Sequence, residues 1–195
     1  MANPTTSEIA TTLYLVRHGE VHNPEGIIYG RLLGFGLSER GREQIEQAAT
    51  ALSSRAPFAA LYASPLQRAQ ESAAIVAERL ELAVEIEARI VETSIGTFQG
   101  KVFEDLPRPY ITEEGAHPEL ESAAALRSRF LAWAAAIRAR HAGDSVIAVS
   151  HRDPIVVALL HWMGAGLGQL PGFPLETGAV YVVQLGGENR VSALA

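Results

Sequence analysis

"LYLVRHGE", residues 13–20, is the stretch that decides the fold. Leu13 to Val16 form an uninterrupted apolar run and read as a buried strand. The run ends on Arg17 and His18, two side chains that resist burial, and then on Gly19. A core strand that delivers cations at its end invites the question of what other segments bring to the same edge.

Similar runs occur at "ALYA" (60–63), "VIAVS" (146–150) and "AVYVVQL" (179–185), with "AVEIEA" (83–88) as a further short strand. After the run at 179–185 come the turn signal "GGEN" and then "RVSALA", which predicts a closing hairpin. Helical periodicity fills the gaps. Ile45, Ala48, Ala49 and Leu52 share a face behind an N-cap at Ser38. Leu66, Ala69, Ala73, Val76 and Leu80 follow Ser64 as N-cap and Pro65 as first helical residue. Leu126, Phe130, Trp133 and Ile137 mark a helix within 121–141, and Asp153-Pro154 opens a helix that Gly164 ends. Strands alternating with helices predict a mostly parallel sheet covered on both faces. In such sheets ligands bind beyond the carboxyl ends of the strands.

The composition narrows the rest. The chain has 195 residues, 48% hydrophobic and 19% charged, which suits a single domain over 13–195 after a flexible N-terminus at 1–12. It has no cysteine, so disulfides, thiolate catalysis and sulfur-ligated metals are excluded. A net charge of −6 argues against a nucleic-acid partner, and any anionic ligand must be drawn by a few placed arginines. No apolar run approaches the ~18 residues of a membrane span, and "MANPTTSEIA" lacks the regions of a signal peptide. A soluble, cytoplasmic protein without membrane partners is expected, with homodimer formation left open.

Three strand ends carry the chemistry. The first delivers Arg17 and His18; the second runs into Ser64-Pro65 with Arg68 just beyond; the third delivers Ser150, His151 and Arg152. Brought together, these cations repel one another unless an anion sits among them. Phosphate fits, because guanidinium forks match its oxygens and helix N-termini add N–H donors. His22, His117, His141 and His161 show no metal-ligand spacing, and no metal or cofactor is called for.

With these residues in view, the chain resembles the histidine phosphatase superfamily, with its phosphoglycerate-mutase-like fold. The matching pieces are "LYLVRHGE", "LSERG" (37–41), "YASPLQRAQESA" (62–73), "VETSIGTFQG" (91–100) and "VIAVSHRDPI" (146–155), in family order. The resemblance implies a three-layer α/β/α sandwich. It further implies that His18 is a nucleophile phosphorylated during turnover, that Arg17, Arg68 and His151 bind the phosphoryl group, and that Glu92 is the proton donor. Asn23 resembles a phosphate-contacting asparagine, one residue nearer the nucleophile than usual. A neutral imidazole serves as nucleophile when its second nitrogen donates to a fixed acceptor, and a carbonyl in the turn at Gly19 is suited to that. Glu92 must be protonated to act, so its pKa should be raised by burial. Glu20 is expected to orient the phosphate loop or tune His151, and His22 to stand on the pocket rim.

The chain departs from the family pattern in two places. Arg152 stands where glycine is usual and is expected to extend the cationic pocket rather than pair with Asp153. At 114–122 only Glu121 and Ser122 remain of a glycine-rich specificity segment. The polar, proline-bearing segment at about 101–121 reads as a lid-like insertion, with Tyr110 as a substrate contact. The expected activity is metal-independent hydrolysis of a small phosphorylated metabolite. Phosphoglycerate-mutase-type transfer is the alternative, and a non-catalytic phosphate-binding module is a third reading that the retention of His18, Glu92 and His151 disfavours.

Overall fold

The computed structural model describes residues 10–194. Its strands are β1 (Thr11–Arg17), β2 (Ala60–Ala63), β3 (Val84–Ile86), β4 (Ser145–Ser150), β5 (Val180–Leu185) and β6 (Arg190–Ala193). They form one mixed sheet in the order β3-β2-β4-β1-β5-β6. β3, β2, β4 and β1 run parallel, and β5 and β6 are antiparallel additions, the hairpin that the turn signal predicts. The helices are α1 (Glu39–Ser53), α2 (Gln67–Leu80), α3 (Ala123–Arg140) and α4 (Arg152–Trp162).

Strand alternation builds two cores. Leu13 and Leu15 point to the face covered by α3 and α4, where Phe130, Trp133 and Leu159 are buried. Tyr14 and Val16 point to the face covered by α1 and α2, against Ile45, Leu52, Ala73 and Val76. A strand buried on both faces needs apolar residues at every position, which is why 13–16 and 146–149 are unbroken apolar runs. The result is an α/β/α sandwich. No helix among the described residues is long and apolar enough to cross a membrane.

Local readings shift in three places. Residues 1–9 of the expected flexible N-terminus lie outside the described part, but Thr11 and Thr12 already belong to β1. Thr11 is fully buried and donates its hydroxyl to the His141 carbonyl at 2.9 Å, so a polar residue sits inside with its hydrogen bond made. α2 starts at Gln67 rather than at Pro65, with Leu66 at the cap position without a side-chain bond, and the Ser64 hydroxyl meets His151 as well as the Leu66 N–H. α4 starts at Arg152, with His151 at the cap position and Asp153 inside the first turn, so Asp153 is not the cap. Pro154 is tolerated there because first-turn N–H groups lack intrahelical partners.

Candidate active site

Register places the three strand ends side by side. Arg17 pairs with Ser150 across β1 and β4, and Val149 pairs with Ala63 across β4 and β2. The ladder continues one step beyond the strands: the His18 N–H donates to the Ser150 carbonyl and the Ser64 N–H to the Val149 carbonyl, each at 3.0 Å. His18, Ser64 and His151 therefore stand in one row at the carboxyl edge of the parallel strands.

The turn after His18 is set by a close backbone crossing. A Cβ on Gly19 would lie 2.2 Å from the Gly41 carbonyl oxygen, and a Cβ on Gly41 would lie 2.0 Å from that of Glu20. Only glycine fits at both positions. Ser38 caps α1, its hydroxyl accepting from the Gly41 N–H and donating to a Glu20 carboxylate oxygen at 2.8 Å. The segment "LSERG" thus holds the histidine loop from outside.

His18 is 2% exposed. Its Nδ1 donates to the Gly19 carbonyl at 2.8 Å, which leaves Nε2 as the lone-pair nitrogen, and Nε2 accepts from Arg68 Nε at 3.2 Å. Burial and the neighbouring guanidinium of Arg68 hold the ring well below the usual histidine pKa, so it is neutral near pH 7. Arg68, 1% exposed, also donates from Nη2 to the Gly30 carbonyl at 2.8 Å and lies over the Tyr29 ring. His151 is fully buried, 5.0 Å from His18 between ring centroids, and its Nε2 meets the Ser64 hydroxyl at 2.7 Å. Its pKa is likewise held well down, by burial first and then by Arg68. Arg17 reaches the Leu175 carbonyl through Nη1 at 2.6 Å. Arg17 Nε and His151 Nδ1 are buried without a protein partner. Such groups are costly unless a ligand satisfies them.

Glu92 enters from the loop after β3. Its carboxylate accepts from the Thr93 N–H at 2.8 Å, and its pKa is pushed up to about 7, by burial first and then by the charge of Asp153. The loop is tied down beneath it: Arg31 Nε and Arg129 Nη2 both donate to the Glu92 carbonyl, at 2.7 and 3.2 Å. Glu121 joins both arginines, and it accepts the Ser94 N–H at 2.9 Å. Asp153, buried in the first turn of α4, accepts the Tyr110 hydroxyl at 2.8 and 3.0 Å. Its pKa is raised by burial, against the pull of Tyr110, Arg152 and Arg17. A cavity of about 170 Å³ gathers Arg17, Tyr29, Gly30, Glu92, Tyr110, Arg152 and Asp153 on its wall. Among the described residues no cluster of three or more His, Asp or Glu side chains is disposed to hold a metal ion.

The structure thus brings together His18, Arg17, Arg68, His151 and Glu92. Other expected residues stand differently. Asn23 bonds locally, its amide donating to the Ile27 carbonyl at 2.9 Å, and it shapes the 23–27 loop rather than the cavity wall. Arg152 does line the cavity, but its Nη2 donates to the Leu170 and Pro171 carbonyls and its Nη1 lies 3.6 Å from Asp153. It therefore pairs with Asp153 as well as facing the pocket. Among the described residues Glu20 forms no hydrogen bond with His151; its carboxylate accepts from Ser38 in the contact that ties the histidine loop to α1, and it lies 3.8 Å from Arg40. His22 is exposed. Ser122 is the N-cap of α3, and Glu121 organises Arg31 and Arg129.

Sequence reasoning overlooked Asp153 as a cavity carboxylate, Ser64 as the partner of His151, and Tyr29 under Arg68. Asp153 and Ser64 had been read as helix caps, and both residue types favour caps. The one available signal was that "DPIVVALL" is apolar on all sides, so a carboxylate at its head must be enclosed.

Comparisons with known proteins agree with this fold. The family profile of the histidine phosphatase superfamily (branch 1) matches residues 13–194. An uncharacterized protein of Mycobacterium tuberculosis is 40% identical, over 83% of each chain. Phosphoserine phosphatase 1 of Hydrogenobacter thermophilus is 32% identical, covering 92% of this chain and 89% of its own. Among solved structures, YhfR of Bacillus stearothermophilus superposes with a TM-score of 0.83 at 26% identity, over 94% of this chain and 96% of its own.

Proposed function

This chain belongs to the histidine phosphatase superfamily, branch 1, and we propose that it is a metal-independent phosphomonoester hydrolase working through a phosphohistidine on His18. One observation carries the reading. His18 Nδ1 is pinned by the Gly19 carbonyl and Nε2 is kept neutral and directed at Arg68, while Arg17 Nε and His151 Nδ1 lie buried nearby without partners. That is an imidazole nitrogen set among buried polar nitrogens that suit the oxygens of an anion.

The reaction runs in two displacements. A phosphomonoester dianion takes hydrogen bonds from Arg17, Arg68 and His151, drawing the Arg68 N–H away from His18 Nε2. The Nε2 lone pair attacks phosphorus and the bond to the alcohol oxygen breaks. The cationic groups hold the charge spread over the three equatorial oxygens. Glu92, protonated about half the time at pH 7, gives its proton to the departing oxygen. Water then attacks the phosphohistidine, the Glu92 carboxylate takes its proton, and phosphate and neutral His18 are regenerated. Asp153 keeps Glu92 protonated to a higher pH by repelling its charged form.

Water is assigned as the acceptor on the strength of the likeness to a phosphoserine phosphatase across nearly the whole chain. The test is His18→Ala set beside wild type, with p-nitrophenyl phosphate and with both phosphoglycerates. Wild type should release phosphate and trap an acid-labile phosphoenzyme on quenching, and the variant should do neither. A phosphoenzyme that survives His18→Ala overturns the nucleophile. Interconversion of the phosphoglycerates without phosphate release overturns hydrolysis in favour of mutase-type transfer.

A further inference from the structure

Next to the catalytic cavity lies a groove of about 740 Å³ that phosphate chemistry does not need. One wall is the loop at 103–113, with Phe103, Leu106, Pro107, Pro109 and Ile111; the other is Leu167, Leu170 and Pro171. Among its lining residues the ionisable side chains are Arg108, Tyr110 and Glu113. Groove and cavity adjoin, since Phe103, Leu106 and Tyr110 line both. The far wall is fixed to the same site: the Leu170 and Pro171 carbonyls hold the Arg152 guanidinium, which lines the cavity.

The apolar surface is also left open at the mouth. Val102 is 47% and Phe103 is 55% exposed, adjacent large hydrophobics that folding has not covered. Isolated exposed apolar residues need no explanation, but an adjacent pair at the edge of an apolar groove that shares a wall with the candidate active-site cavity does. Beneath them Leu106 packs with Ile28, Ile95 and Leu120 in a small core of its own, so the wall is held in place without a ligand.

Resting on the phosphomonoesterase reading, we propose that this groove binds the alcohol part of the substrate, and that the preferred substrates are phosphomonoesters of apolar alcohols, aryl or medium-chain alkyl. With phosphorus at His18 and the ester oxygen at Glu92, the alcohol leaves past Tyr110 and Phe103 and lies between the two walls. A carboxylated alcohol such as that of phosphoserine or a phosphoglycerate would place its charge among prolines and leucines, with Asp153 and Glu92 repelling it from behind. Apolar burial gives the opposite result, a gain with every methylene removed from water.

The test is a series of primary alkyl phosphates from ethyl to octyl, whose leaving-group basicity is nearly constant, so that kcat/KM reports binding of the chain. It should rise about two- to fourfold per methylene over the first several carbons. Octyl and 1-naphthyl phosphate should exceed phosphoserine and 3-phosphoglycerate. Phe103→Gln and Leu167→Gln should each lower kcat/KM for octyl phosphate more than for ethyl phosphate, flattening the series. Turnover of p-nitrophenyl phosphate with a flat alkyl series refutes the groove assignment and leaves the phosphatase reading standing. No turnover of any ester refutes both. A flat series in which Phe103→Gln also changes the sedimentation coefficient assigns the groove to a second copy of the chain and overturns the proposal.

Discussion

Replacing Glu92 by glutamine keeps the shape of the cavity wall and the bond from the Thr93 N–H, and removes the proton that the proposed mechanism gives to the leaving oxygen. The size of the effect follows from the alcohol. An alkoxide is a poor leaving group, so a positioned acid is worth about 10²–10⁴ in rate, whereas p-nitrophenolate departs nearly unaided. Glu92→Gln should therefore lower kcat/KM for an alkyl phosphate by at least about a hundredfold and for p-nitrophenyl phosphate by less than about tenfold. The pH profile carries an independent signature. With the Glu92 pKa at about 7, the acid form is half populated there and falls tenfold per unit above it. Wild-type turnover of the alkyl ester should decline accordingly above pH 7, and the variant should lose that limb. Stability gives a third reading. The folded pKa lies above the ordinary value of 4.5, so the folded state holds the proton more tightly. Stability associated with Glu92 is thus complete below pH 4.5 and lost as pH rises through 7. Relative to wild type, the variant should gain about 1–3 kcal/mol between these limits, part of the shift being shared with Asp153. The assays are steady-state kinetics on the two esters from pH 5 to 9 and urea unfolding across the same range. Equal slowing of both esters would refute the acid role, and an unchanged upper pH limb in the variant would refute the assignment of that pKa.

Asp153→Asn should move the upper limb of the wild-type profile to lower pH, because the repulsion that raises Glu92 is gone; an unmoved or higher limb contradicts the coupling. Arg68→Lys loses both the donor to His18 Nε2 and the donor to the Gly30 carbonyl, and should cost about 10²–10³ in kcat on p-nitrophenyl phosphate. Activity should persist in excess EDTA after dialysis against the chelator, and its full loss, restored by a divalent cation, would end the metal-free mechanism. Gly41→Ala drives a Cβ to 2.0 Å from the Glu20 carbonyl and should cost about 1–3 kcal/mol together with much of kcat, read by thermal unfolding and turnover; unchanged values for both would show that the crossing yields freely.

Much of the candidate site was legible because its residues gather at the ends of strands. Arg17, His18 and His151 interrupt apolar runs, and such an interruption is visible in a linear string. Arg68 was visible through its place in the first turns after a strand. What stayed hidden depends on side-chain direction. Asp153 and Ser64 fit capping statistics, and only the tertiary fold brings Asp153 to the cavity wall with Glu92 and the Ser64 hydroxyl to His151. Asn23 and Arg152 have the right chemistry at the right distance along the chain, yet loop geometry gives Asn23 to Ile27 and ties Arg152 to the 170–171 backbone. The start of β1 at Thr11 was missed because a buried threonine with a satisfied hydroxyl looks polar in sequence. The lid segment is the least legible region, since its small core joins Leu106 and Leu120 to Ile28 and Ile95 from distant loops.

The contact between Arg68 and His18 Nε2 has a bearing on selectivity that precedes any fit of the substrate. In the resting protein the reactive nitrogen is covered by a guanidinium and hardly reachable by solvent. A diffusing electrophile that carries no negative charge has nothing with which to draw Arg68 aside, and it meets the exposed rings of His22 and His161 first. A phosphate dianion supplies the competing acceptor itself. Uncovering the nucleophile is thus coupled to the charge of the group to be transferred. The protein can keep a neutral imidazole nitrogen ready without having it consumed by incidental acylation.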